Sequence, residues 1–328
     1  MTAPDTTYVV HGATLALAWF ALINALVSAL VALAVAGDAD AHPTGRAGFW
    51  FALRLLPASS ALVFVGALFL PSYWKYEPRD AVEGVDITLA ALACAGTAIL
   101  VWAGARGASA WWQASRRVRL WMRSARVLAS AASGAAPIPA FEIDGPAPTM
   151  SLAGIARPRL FITRALLNTL TDEELEASVA HEVGHWRARD NVKRLAMRSA
   201  PDLLSLTPAA RRIERWWVSA AEHSADRVGG GVNPAARCAL ASALVKAARL
   251  MPDAAPTGEP ITTLLGGGEI ASRVERLLDD RAEADDRSRA PARRAPLAAA
   301  CLAALASAYG PLLRLVHDAT EILVRSLP

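Results

Sequence analysis

The chain has 328 residues, 54% of them hydrophobic and 20% charged, with a net charge of +4 and a mean hydropathy of +0.28. That is too apolar for an ordinary soluble protein of this length. Cys94, Cys238 and Cys301 stand apart in apolar or alanine-rich surroundings, which excludes a disulfide framework and a Cys-x-x-Cys zinc clip.

The apolar residues are clustered. Residues 8–36 form an almost uncharged run, well beyond the ~20 residues a helix needs to cross a bilayer. A cleaved signal peptide would need a basic segment ahead of a shorter apolar core, and this run has neither. Residues 49–70, interrupted by Arg54 and Pro57, make a second run, and 87–103 a third. A weaker, alanine-rich run over 295–313 ends at Arg314 and reads as a fourth span. The third run leads into "GARGASAWWQASRRVRLWMRSAR", which carries Arg106, Arg116, Arg117, Arg119, Arg123 and Arg126 and no acid. Such flanks stay on the cytoplasmic side. Arg287, Arg289, Arg293 and Arg294 repeat the signal before the fourth run, so residues 105–294 are expected in the cytoplasm and both termini outside. Arginines mixed with tryptophans also suit nucleic acid. Their place beside a span favours a lipid partner, with arginines on headgroups and Trp111, Trp112 and Trp121 at the interface, so no direct nucleic-acid binding is expected.

Five segments result: three spans within 1–104, a basic juxtamembrane helical linker at 105–140, a folded domain at 141–280, a charged linker at 281–294, and a fourth span with a short tail at 295–328. The fold class is a mostly α membrane protein with a cytoplasmic α+β domain. Within that domain, 141–143, 149–152 and 159–163 read as short strands separated by Gly/Pro turns. "LTDEELEASVAHEVGHW" is a marked helix. Thr171 caps it, Glu174 completes a capping box, and Leu170 and Leu175 are spaced for a hydrophobic staple. Leu175, Val179, Val183 and Trp186 recur at helical spacing on its buried face. A second helix starts at Thr207 with Pro208 in its first turn and stops at Gly229, Gly230 and Gly231. Helices near 234–250 and 269–280 complete the domain, and the Gly/Pro-rich 251–268 between them reads as mobile.

"VAHEVGHWRARD" holds the chemistry. Residues i and i+4 stand one turn apart on one helix face, so His181 and His185 can hold one Zn²⁺ between their imidazoles. Glu182, rotated ~100° away, can reach a water beside the metal without ligating it, as a general base would. A catalytic zinc also needs a third protein ligand. "WWVSAAEHSADRVGG" supplies Glu222 from a second helix, and Asp226, one turn on, is placed to accept an N–H from a ligand histidine. His223 and Arg227 are candidates for the substrate side and for stabilising an oxyanion. His11, His42 and His317 read as isolated, and Asp190 and Asn191 as structural residues closing the helix or pairing with arginines. A strand such as 159–163, at the edge of a cleft, would hold an extended substrate by adding it to the sheet.

"RPRLFITRALLNTLTDEELEASVAHEVGHWRARD" followed by "EHSAD" resembles the membrane-bound gluzincin metallopeptidases over about residues 144–280. Two branches are similar: the BlaR/MecR-type antirepressor peptidases, and the HtpX/Ste24-type proteases, which share HExxH and a downstream ExxxD. Three spans before the domain, one after it, and "SRVERLL" late in the domain favour the BlaR/MecR type. The resemblance implies a zincin-like (gluzincin) fold, one zinc per chain on His181, His185 and Glu222, Glu182 as general base, and Asp226 behind the ligands. It also implies a protein or peptide substrate, such as a cytoplasmic repressor. BlaR/MecR-type sensors carry a large extracellular β-lactam-binding domain after the last span, whereas this sequence ends at Pro328, so a receptor role for β-lactams is not carried over. The expectation is a zinc endopeptidase of the inner or plasma membrane acting in regulatory proteolysis. The alternatives are an HtpX/Ste24-type enzyme cutting damaged membrane proteins or lipidated peptides, and a non-catalytic scaffold with a structural zinc.

Overall fold

The computed structural model describes residues 6–36, 46–78, 86–128, 137–145, 149–231, 233–250, 270–279 and 295–326, the side chains of 295–307 excepted. The segment 251–268, the charged linker 281–294 with its arginines, and His42 lie outside the described residues.

Among the described residues, three helices are long and apolar enough to cross a membrane: α1 (Thr6–Ala36), α2 (Ala47–Tyr76) and α3 (Ile87–Trp121). They coincide with the three strongest apolar runs. Helix α1 and α3 cross closely at Gly96, where a Cβ would collide with the Leu17 carbonyl, and small residues at such crossings let apolar helices pack without a hydrophobic driving force. Helix α2 accommodates Pro57 in its interior and widens to a π-helical stretch at Phe64–Phe69. Helix α3 runs unbroken through most of the arginine-rich stretch. Among the described residues of 105–140, the helix ends at Trp121 and Arg126–Val127 is already a strand.

Four strands form one sheet in the order β1 (Arg126–Val127), β2 (Ala140–Ile143), β4 (Arg159–Thr163), β3 (Met150–Ala153). Strand β2 is parallel to β4, with Phe141 opposite Phe161. The β1–β2 and β3–β4 pairs are antiparallel, with Leu152 opposite Leu160. Alternation sends Leu160 and Ile162 to one face, where they meet Val179 and Val183 of α5 (Asp172–Ala188) and Leu240 and Leu244 of α8 (Pro234–Arg249). Phe161 points the other way, onto Trp121 of α3 and Phe141, at ring-centroid distances of 5.1 and 5.7 Å. The sheet thus separates the end of the third membrane helix from the helices that carry the site.

After β4 come a single helical turn α4 (Arg164–Leu167), then α5, α6 (Asp190–Arg198), α7 (Pro208–Gly230), α8 and α9 (Ile270–Leu278). The expected helix from 207 to the triple glycine is α7, and the following two are α8 and α9. Helix α6 was not expected. Helix α10 (Ala295–Ser326) covers the fourth apolar run and lies on α1 and α2: Ser72 Oγ donates to Leu313 O at 2.6 Å, Tyr309 OH to Ala67 O at 2.7 Å, and Trp19 Nε1 to Thr320 Oγ1 at 3.1 Å.

Candidate metal centre

Helix α5 begins with the expected capping box: Glu174 N–H donates to Thr171 Oγ1 at 3.3 Å, and Thr171 N–H donates to Glu174 Oε2 at 2.9 Å. Asp172, Glu173 and Glu174 suit the positive end of its dipole. Glu174 also accepts from Ser242 at 2.6 Å and Lys246 at 2.7 Å, so one carboxylate caps α5 and ties it to α8. The helix ends at Arg189, the one described non-glycine residue with positive φ (56°). That left-handed residue turns the chain back, so Asp190 returns to the side of His185.

His181, Glu182 and His185 are buried against α7, which brings Glu222 and Asp226. The helices approach closely because Gly184, inside the HEVGH stretch, has no Cβ: one placed there would sit 3.1 Å from Ala225 Cα and 3.2 Å from Val228 Cβ. Gly229 does the same from α7, where a Cβ would lie 2.9 Å from Ala177 O.

Three donor atoms converge. His181 Nε2 lies 3.2 Å from His185 Nε2 and 3.6 Å from Glu222 Oε2, and His185 Nε2 lies 3.4 Å from Glu222 Oε1. Bonds of 2.0–2.1 Å at the tetrahedral angle require ligand atoms roughly 3.3 Å apart, so these residues fit a zinc ion. Among the described residues they form a group able to hold a metal. The other ring nitrogens face carboxylates: His185 Nδ1 is 2.8 Å from Asp190 Oδ2, and His181 Nδ1 is 3.0 Å from Asp226 Oδ1. A carboxylate there fixes the tautomer that leaves Nε2 free for a metal. Glu182 Oε2 accepts from the Leu152 N–H of β3 at 3.1 Å, while its Oε1 accepts no hydrogen bond from the described residues.

Electrostatics follow from these pairings. Burial disfavours a charged His185, but Asp190 and Glu222 outweigh it and push the imidazole up to about 10. His181 is raised too, burial being overcome by Asp226 and Glu222. For Glu222, burial is outweighed by the two histidines, which hold it well below the usual carboxylate range. Burial dominates at Glu182 and raises its carboxyl above the usual carboxylate range.

Three residues have roles at the site that sequence reasoning did not assign: Asp190, Arg273 and Asn191. Asp190, read there as structural, orients His185. Arg273 of α9 is 3% exposed and donates to both Asp226 oxygens, while its Nη1 lies 3.1 Å from Glu222 Oε2. It stands in the "SRVERLL" stretch used only for the resemblance, and no spacing rule links it to the HExxH helix. Asn191 also acts on the site: its Nδ2 donates to Leu152 O at 3.0 Å and Gly154 O at 2.9 Å, pinning β3 beside Glu182. The expectation that 159–163 lies at a cleft edge is overturned, because β4 is flanked by β2 and β3 and both its edges are used. Strand β3 ends the sheet on the side of Glu182. His223 and Arg227 are half-buried and exposed on α7, rotated by one residue from Glu222 and Asp226, and neither is one of the three converging ligands. His317 is not isolated: its Nδ1 is 3.8 Å from Glu77 Oε2, and Glu321 stands near both, itself paired with Arg325 at 3.1 Å.

No curated protein matches the chain. Residues 125–252 match Peptidase family M48, a family of membrane-associated zinc metallopeptidases; the matched segment holds the sheet and the three converging ligands.

Proposed function

We propose that this protein is an integral-membrane zinc endopeptidase in which His181, His185 and Glu222 hold the metal, Glu182 is the general base, and Asp226 and Asp190 orient the histidines. The observation that carries the reading is the convergence of two imidazole nitrogens and a carboxylate at tetrahedral-ligand separations, with a buried glutamate beside them. A zinc ion held there supplies Lewis-acid polarisation of a carbonyl and lowers the pKa of a water. Glu182, through the oxygen not engaged by Leu152, would accept a proton from the attacking water and return it to the leaving amine. An extended substrate would pair with the edge of β3 ahead of Leu152, whose own N–H and C=O are taken by Glu182 and Asn191. A membrane scaffold with a structural zinc is disfavoured by the ligand set, since the group holds three protein ligands and a structural site is closed by four.

The domain sits at the arginine-rich end of the membrane helices: α3 enters it through Arg116, Arg117 and Arg119, and Arg212 Nη1 donates to Val35 O at the end of α1. The positive-inside bias therefore supports a cytoplasmic active site. We favour regulatory cleavage of a cytoplasmic protein, a repressor being the substrate the BlaR/MecR resemblance suggests. The HtpX/Ste24-type alternative is cleavage of damaged membrane proteins or lipidated peptides. A deletion strain accumulates soluble cytoplasmic proteins under the first reading and misfolded membrane proteins under the second.

The peptidase reading itself is tested by Glu182→Ala. Cleavage should disappear while zinc content stays near one per chain, because Glu182 is not a ligand. Wild-type cleavage by Glu182→Ala would end the proposal.

A further inference from the structure

We propose that Arg54, in membrane helix α2, is a positioning residue of the metal site: it sets where α7 begins and thereby where Glu222 stands. This rests on the zinc reading above and adds to it a role for a residue far outside the segment that matches family M48.

The connector from α6 to α7 covers residues 199–207 and is held by membrane helices. Arg54 is 1% exposed and contacts three elements with one guanidinium. Its Nη2 donates to Met197 O in α6 at 3.2 Å, Nη1 to Asp202 Oδ2 in the connector at 2.8 Å, and Nε to Glu214 Oε1 in α7 at 3.0 Å. Asp202 is itself fully buried. The neighbouring spans hold the same connector. Asn24 of α1 donates to Pro201 O at 2.7 Å and accepts from Leu203 N–H at 2.9 Å. Ser28 accepts from Leu204 N–H at 3.1 Å, and Arg106 of α3 donates to Ala200 O at 2.8 Å. All three membrane helices therefore grip one short segment through polar side chains, and Arg54 alone among these gripping residues also bonds α7 directly.

The two halves of the metal site share the close α5–α7 contact but differ in their other anchors. His181 and His185 ride on α5, which is fixed by the sheet-side core and by the Glu174–Lys246 pair with α8. Glu222 rides on α7, and Glu214 lies eight residues before it on the same helix, about 12 Å along the axis. A helix transmits axial displacement along its length, so a shift at Glu214 reaches Glu222. The ligand atoms are spaced within a few tenths of an ångström of what a tetrahedral ion requires, so such a shift falls directly on metal affinity. Lysine carries the charge but cannot reproduce a fork reaching three acceptors. By this route, movement of α2 against its neighbours would be felt at the metal.

The test uses full-length protein in detergent, with zinc Kd from chelator competition and the visible spectrum of the Co²⁺-loaded protein. Arg54→Ala should raise the zinc Kd by about tenfold and shift the Co²⁺ bands, with Arg54→Lys intermediate. Leu89→Ala, a buried cut in α3 within a separate core cluster, should lower the melting temperature yet leave Kd and spectrum at wild type. If Arg54→Ala does not fold, Arg54→Lys and Asp202→Asn decide by the same readouts. Folded Arg54 variants with zinc Kd within about twofold of wild type and an unchanged spectrum overturn the proposal. Wild-type protein that takes up no zinc would instead remove the zinc reading on which it stands.

Discussion

Behind each member of the candidate metal group stands a second side chain. Asp190 holds His185 and Asp226 faces His181, while Arg273 bridges Asp226 and Glu222. Replacing Asp190 by Ala leaves His185 free to turn, and zinc affinity should fall by about 10–100-fold in a chelator competition. An unchanged Kd would show that the ring is held by packing alone. Arg273→Ala leaves two carboxylates together at the bottom of the site with their cation removed. Breaking a buried pair in this way costs about 3–5 kcal/mol, so the melting temperature should drop sharply, and Arg273→Lys should recover part of it. An Arg273→Ala protein as stable as wild type would mean that water reaches Asp226. Asp190 was legible as a residue closing α5 but not as a ligand partner, because that depends on the left-handed turn at Arg189.

At the scale of elements, the site is a close contact of α5 and α7. Gly184→Ala places a methyl 3.1 Å from Ala225 Cα, which is helix backbone and yields only by moving α7. Overpacking of this kind costs about 1–3 kcal/mol, and it should weaken zinc binding as well as lower the melting temperature. Destabilisation with wild-type zinc affinity would separate the packing from the site. The α5–α8 contact carries a pH signature. Burial opposes charge on Glu174, but Lys246, Ser242 and the Thr171 backbone outweigh it and hold its carboxyl below the ordinary 4.5. A lowered folded value means this stabilisation is fully present above about 4.5 and is lost as the pH falls through the folded value. Melting curves from pH 7 to pH 3 should therefore converge for wild type and Lys246→Ala at the acid end and differ at neutral pH. A gap that persists at pH 3 would show that Lys246 contributes through packing rather than charge. The bounds of α5 and α7 were readable in sequence because capping boxes, prolines and glycines act locally. The two-residue strand β1 and helix α6 were not, since their pairing and packing partners are distant in the chain.

At the scale of the whole molecule, three long apolar helices and the domain that carries the candidate metal group are joined by α3 and by the grip on residues 199–207. The arginines at the domain end of α3 lead to a topology prediction. In a background lacking the native cysteines, Ser124→Cys should resist an impermeant maleimide in intact cells and react after permeabilisation, whereas Thr6→Cys should react from outside. Labelling of Ser124→Cys in intact cells would place the active site on the other side of the membrane.

The sequence by itself determined the three long apolar helices and the pairing of His181 with His185 on one helix face beside Glu182, because hydropathy runs and i, i+4 spacing are properties of a continuous chain. Glu222 joins them only through the packing of a second helix. Tertiary structure alone decided the rest. It buried β4 and left β3 beside Glu182, since strand order depends on pairing between distant segments. It brought Arg273 to Asp226 across 47 positions and Arg54 to Asp202 across 148, where a charge finds its partner through folding rather than through spacing.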